Sequence, residues 1–178
     1  MKNDSIFQSW LLAYTLFAMP IFLPAVSAQS VVENEVYTFK ADSVSISELE
    51  YLLFILINQK RIENRLQPLI WNEQATQIAR LHSRNMADYD FFGHEGLDGR
   101  KVDGRANLFG LRRWQIIGEN IAYNRGYRKP LERVVESWMR SAGHRRNLLN
   151  RRWKESGIGI AIKSNRTYYF TQVFLIRK

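Results

Sequence analysis

The 178-residue chain has no cysteine. That excludes disulfides, a thiol nucleophile, thiolate metal sites and lipidation at an N-terminal cysteine, so the fold must rest on its core alone. Histidine is scarce too, with only His82, His94 and His144. HExxH, GxSxG, Walker and Rossmann patterns are all missing, and with them the readiest sequence signatures of zinc proteases, serine hydrolases and nucleotide enzymes. Beyond the amino terminus no apolar run is long enough to span a bilayer; Tyr51–Ile57 is the longest candidate and far too short.

The amino terminus itself is apolar. Lys2 precedes Trp10–Pro24, an almost unbroken hydrophobic stretch, and Val26-Ser27-Ala28 supplies small residues at a cleavage position. This three-part pattern reads as a secretory signal over residues 1–28 rather than a membrane anchor, since Pro20 and Pro24 interrupt its distal half. The exported chain would start at residue 29, with a polar leader over 29–45 and one folded domain over 46–178. An export signal does not distinguish the periplasm from the external medium. The formal net charge is +9, and it is unevenly placed: residues 100–154 hold 15 basic and 4 acidic residues, whereas residues 29–99 hold 6 basic and 11 acidic. A concentrated positive surface attracts polyanions such as anionic lipid, wall polymer or acidic polysaccharide. Export makes nucleic acid the least fitting of these partners.

The pattern predicts helices first and strands last. Ser45 and Ser47 stand three residues before Glu48 and Glu50, which is capping-box spacing for a helix over 46–66 that Pro68 ends. Asn72 caps a second helix over 73–89, with Ala75, Ile78, Ala79, His82 and Met86 on one stripe. A glycine-punctuated loop runs to about Ala106. Pro130 opens a third helix that buries Leu131, Val134, Val135 and Trp138 and ends at Gly143, and a shorter turn follows at 145–150. Residues 157–162 and 167–176 read as a strand pair joined by a turn at 164–166. The class is α+β.

His82, on an apolar stripe, reads as a packed and hydrogen-bonded core residue. His94 follows Phe91-Phe92-Gly93, whose aromatics would anchor a turn while the imidazole points outward. Glu119 sits among apolar residues in Ile116–Ala122, next to Asn120; the pair either serves a site or ties loops together. His144 follows Gly143 and is either a helix cap facing the macrodipole or a site residue. His94, Glu119 and His144 could hold a zinc ion with an open position, or could perform acid–base chemistry. They lie 25 residues apart each way, so only the fold can bring them together.

Gly118-Glu-Asn-Ile-Ala122, Trp138 with Ser141-Ala-Gly-His-Arg-Arg-Asn147, Gly157-Ile-Gly159 and Tyr168–Phe174 resemble the CAP superfamily, which takes in cysteine-rich secretory proteins, antigen 5 and pathogenesis-related proteins. The likeness is greatest to the bacterial, SCP-like extracellular branch. It runs from about Leu53, through Asn58, Arg61 and Leu66-x-Pro68-Leu69, to Phe174. The resemblance implies an α-β-α sandwich with a small, mainly antiparallel sheet and an open cleft carrying two histidines and two glutamates. Matched position by position, His94 and Glu119 retain half of that tetrad; the other carboxylate falls on Ser141 and the other histidine on Tyr169, three residues before Gln172. His144 is characteristic of the bacterial branch. The cleft is therefore expected to involve His94, Glu119, Asn120, Ser141, His144, Tyr169 and Gln172, with zinc as the only cofactor in question. Tyr169 and Ser141 are poor zinc ligands at neutral pH. The incomplete tetrad and the basic flank favour a non-catalytic binding module for a lipid, glycan, envelope or protein partner over a hydrolase using His94, Glu119 and His144.

Overall fold

The computed structural model describes residues 44–178; the expected signal, 1–28, and nearly all of the expected leader lie outside the described residues. Helix α1 (Ile46–Glu63) begins at the anticipated capping box: Ser45 Oγ accepts from the Glu48 N–H, and Glu48 reaches back to the Ser45 N–H. It ends at Asn64, short of the predicted Leu66. Strand β1 (Ile70–Trp71) leads into α2 (Glu73–Asp88), whose N-cap Asn72 accepts from the Ala75 N–H. Then come α3 (Val102–Leu108), β2 (Trp114–Arg125), α4 (Pro130–Arg140), α5 (Ala142–Leu148), β3 (Glu155–Ile162) and β4 (Thr167–Arg177).

The sheet order is β1-β3-β4-β2, with β1 parallel to β3 and the other pairs antiparallel. Helix α2 packs on one face. Gly157 and Gly159 allow it: a Cβ would lie 2.1 Å from Thr76 N at the first and 2.2 Å from Ala79 C at the second. Helices α1 and α4 cover the other face, where Leu53, Ile57, Val134, Trp138, Ile158, Phe170 and Phe174 form the larger core cluster. The fold is thus the expected α-β-α sandwich. Two further devices hold it. Asn58 pairs with both backbone groups of Leu69, and buried Arg61 donates to the carbonyls of Gln67, Leu148 and Asn150.

Five expectations need correction. Strand β2 was not predicted, and the loop expected to reach Ala106 contains α3. Helix α4 stops at Arg140, not at Gly143. Ser141, with φ −84° and ψ 122°, is at once the C-cap of α4 and the N-cap of α5. A single extended residue makes that corner, so Gly143 and His144 belong to the first turn of α5, and His144 does not cap the preceding helix. Finally, Phe91 packs against His82 at a ring separation of 6.1 Å, but Phe92 faces outward instead of anchoring the turn.

Candidate functional site

Strand β2 sorts the candidate residues between the two faces of the sheet. Alternation sends Glu119, Ile121 and Tyr123 toward α2 and α3, and Asn120 and Ala122 toward α4. Glu119 is buried, yet both of its oxygens are engaged. Oε1 lies 2.8 Å from His94 Nδ1, and Oε2 accepts from Arg105 Nη2 at 2.5 Å. Arg105 comes from α3 and is itself buried; its Nη1 donates to the carbonyls of His94 and Arg100. The guanidinium therefore neutralises the carboxylate and fixes the loop that carries His94. An ionised carboxylate only accepts, so Nδ1 carries the ring proton and Nε2 is the nitrogen left for a ligand. The His94 side chain is 52% exposed.

His82 braces this arrangement from below, as its place on the α2 stripe predicted. It is fully buried, its Nε2 lies 2.8 Å from the Gly93 carbonyl, and burial lowers its pKa and keeps the ring neutral. Nε2 also lies 4.0 Å from Glu119 Oε1.

On the opposite face the work is done by amides. Asn120 Nδ2 donates to the His144 carbonyl at 3.1 Å, and Asn147 Nδ2 donates to the Glu119 carbonyl and to Asn120 Oδ1. Trp138 Nε1 donates to the Ile121 carbonyl. These bonds fasten the α4–α5 corner along β2. Asn120 therefore ties loops together and is not an open cleft residue. The same corner carries His144, whose pKa is lowered first by burial and then by His94 nearby. His144 makes no hydrogen bond to Glu119, and its buried Nδ1 has no partner among the described residues. Ser141 is half-buried at the corner and makes no side-chain capping bond. Tyr169, on β4 opposite Tyr123, is buried and stacks on it at 6.0 Å. Gln172 must be removed from the cleft: it lies between Phe170 and Phe174 on the α4 face, fully buried, donating to Ser156 Oγ.

The donor set does not fit a zinc ion. Among the described residues no group of three or more His, Asp or Glu side chains converges to hold a metal. Glu119 already has a cation at 2.5 Å, and placing zinc there would set two positive charges against each other in a buried site. The position that matters most, Arg105, was not anticipated. It is one of fifteen basic residues between 100 and 154 and carries no local mark that separates it from the rest.

Comparison with known proteins shows the family and the fold. Residues 54–174 match the family model described as CAP, the cysteine-rich secretory protein family. The chain is 35% identical over 115 residues to YkwD of Bacillus subtilis, covering 65% of this chain and 43% of that protein. It is 32% identical over 127 residues to the Bacillus subtilis membrane protein YlbC, covering 68% and 33%. The chain thus spans less than half the length of these relatives. An extracellular protein with an SCP domain from Bacillus anthracis superposes with a TM-score of 0.62 at 29% identity, over 74% of this chain and 41% of that one. An outer surface protein of Borrelia burgdorferi shares the fold at a TM-score of 0.68 and 20% identity, over 76% and 97%.

Proposed function

The chain belongs to the CAP, cysteine-rich secretory protein, family, and from that premise we propose that it is an exported, non-catalytic binding module that docks on anionic material of the cell envelope. The observation that carries the reading is the surface beside the cleft. Arg145, Arg146, Arg151 and Arg152 are exposed, and among the described residues none lies within 4.0 Å of a carboxylate. Three of them line a shallow concavity of about 630 Å³ together with Ala142, Leu149 and Asn150. Guanidiniums without internal partners, gathered on one concave surface, attract phosphate and carboxylate groups and form forked hydrogen bonds to them. The extracellular and outer-surface settings of the Bacillus anthracis and Borrelia proteins support export. No helix of the described residues is long and apolar enough to cross a membrane.

The cleft supports the same reading. A general base needs a lone pair that is free to take a proton, and Glu119 has both oxygens committed to Arg105 and His94. One feature favours a second reading, an acid–base hydrolase: the Glu119–His94 pair orients an exposed imidazole. Turnover by the native protein that disappears in His94→Ala would establish that alternative.

The test of the main reading is co-sedimentation with vesicles containing anionic phospholipid and with purified cell wall. Replacing Arg145, Arg146, Arg151 and Arg152 together by glutamine is expected to weaken binding by at least about tenfold at low salt. Unchanged binding would end the proposal.

A further inference from the structure

Beside the cleft lies an aromatic surface for which neither the fold nor the arginine-lined concavity gives a reason. Tyr123 stands on the same face of β2 as Glu119, four residues farther along, and Phe92 stands two residues before His94. Tyr123 is 58% exposed and Phe92 49% exposed. The Phe92 ring meets Tyr123 edge-on at 5.0 Å and 72°, and Tyr123 stacks on buried Tyr169 at 6.0 Å and 29°. Phe92 at an edge contact and Tyr169 by stacking thus hold Tyr123 in place. A ring held in this way needs little further ordering when a ligand arrives, yet it still exposes apolar surface to water.

From this arrangement we infer that Tyr123, held in place by Phe92 and Tyr169, is a stacking platform for a sugar ring, with the exposed His94, two residues beyond Phe92, as a neighbouring polar contact. The inference rests on the reading of the protein as an envelope-binding module and names the ligand class: a polysaccharide of β-linked, gluco-configured pyranoses. Such a ring carries all its substituents equatorially. Its flat faces are therefore bare C–H and its rim is hydroxyl, which matches a wet aromatic surface with polar groups at the border.

The border favours a sugar over an acyl chain. His94, the exposed member of its cluster, follows Phe92 by two residues, and the Asp90–Lys163 ion pair also borders the rings, with Lys163 near Tyr169 and Asp90 two residues before Phe92. An acyl chain needs a long, enclosed apolar channel. Here three rings lie between charged groups, and two of them face open solvent.

The position of Tyr169 gives the platform a specific logic. The buried tyrosine ring supports Tyr123 from beneath and makes the base of an apolar surface.

The experiment is saturation-transfer NMR on protein purified from cells expressing the full chain, with chitotetraose and cellotetraose as separate probes. Transfer is expected to the ring C–H protons in both or in one, the difference reporting the acetamido group. It should persist at about 0.5 M salt, because stacking is not screened. Tyr123→Ala should weaken binding about tenfold, the scale found when an aromatic that stacks on a planar ring is truncated. Tyr123→Phe, which keeps the ring, should bind within about twofold of wild type. Circular dichroism confirms folding of both variants. Absence of transfer with both probes, or equal transfer in wild type and Tyr123→Ala, overturns the platform. The arginine variant separates the two proposals: glutamines at 145, 146, 151 and 152 should weaken adhesion to anionic wall at least about tenfold and leave sugar transfer intact. Loss of the platform with adhesion retained would leave the envelope-binding reading standing.

Discussion

The molecule buries two carboxylates against arginines, one at each edge of the sheet, and puts them to different uses. At the β3 edge, Glu50 accepts a forked pair of bonds from Arg80 and a third from the Ile160 N–H. That arrangement closes the edge where β1 is too short to pair, and it presents nothing to solvent but the flank of Arg80. At the β2 edge, Glu119 spends one oxygen on Arg105 and the other on His94. The arginine here is as deeply buried as the carboxylate, and the group left exposed is an imidazole. The first pair supplies a partner to one backbone N–H of the β3 edge. The second completes nothing in the sheet; it aims a side chain outward. A buried ion pair that holds an exposed imidazole leaves a group able to meet a ligand, whereas a pair whose third member is a strand N–H serves the scaffold.

The largest expected effect comes from removing the arginine of each pair. Arg105→Met leaves Glu119 buried without a counter-charge and should cost about 3–5 kcal/mol of stability. Arg80→Met should cost distinctly less, because Arg80 is about a third exposed and the Ile160 N–H still satisfies Glu50. Urea unfolding of both variants measures the difference. Equal losses would mean that the two pairs are structural equivalents. The double variant Arg105→Met with Glu119→Gln should be more stable than Arg105→Met alone, because it removes the stranded charge.

This contrast also shows what the sequence could and could not reveal. Helices α1, α2 and α4 announce themselves through Ser45, Asn72 and Pro130, where a local cap or a fixed φ does the work. Strands β3 and β4 are rich in β-branched and aromatic residues and are joined by a polar turn. Strand β2 hides because it spends buried positions on Glu119, Asn120 and Asn124 and an exposed one on Tyr123, so no apolar–polar alternation survives. The pairing of His94 with Glu119 was legible through family resemblance. Arg105 was not, since its importance arises only from where a seven-residue helix points it. Gln172 misled in the opposite direction. Its neighbourhood in the sequence belongs to the cleft, but strand alternation turns it into the core.

A smaller effect comes from acid, and it falls on the Glu119 side, where His82 and His144 lie near His94. His82 and His144 both have pKa values lowered below the ordinary imidazole value, in each case chiefly by burial. The unfolded chain therefore takes up protons first as pH falls. Stability from these groups is fully present above about pH 6.5 and is lost progressively as pH drops toward the folded values. Stability measured from pH 7.5 to 5 should decline, and His82→Asn should flatten that decline. An unaltered slope in His82→Asn would show that the buried imidazole is not what acid attacks.

The smallest expected effect is none at all, and it bears on the same pair of carboxylates. If Glu119 resembles Glu50 in having its positive charge supplied by the chain, zinc has no vacancy to fill near either one. A ligand that binds only the folded state raises the melting temperature in proportion to the logarithm of its concentration over its dissociation constant. The melting temperature should therefore be the same, within about 1 °C, in excess zinc and in chelator. A zinc-dependent rise of several degrees that vanishes in His94→Ala would reverse the reading of the cleft, because the imidazole would then be a ligand despite Arg105. A rise that survives His94→Ala would place zinc elsewhere on the surface and leave the Glu119–Arg105 pair as the cation-filled member of the comparison. The outcome decides whether the arginine has replaced the metal or merely lies near a site that still takes one.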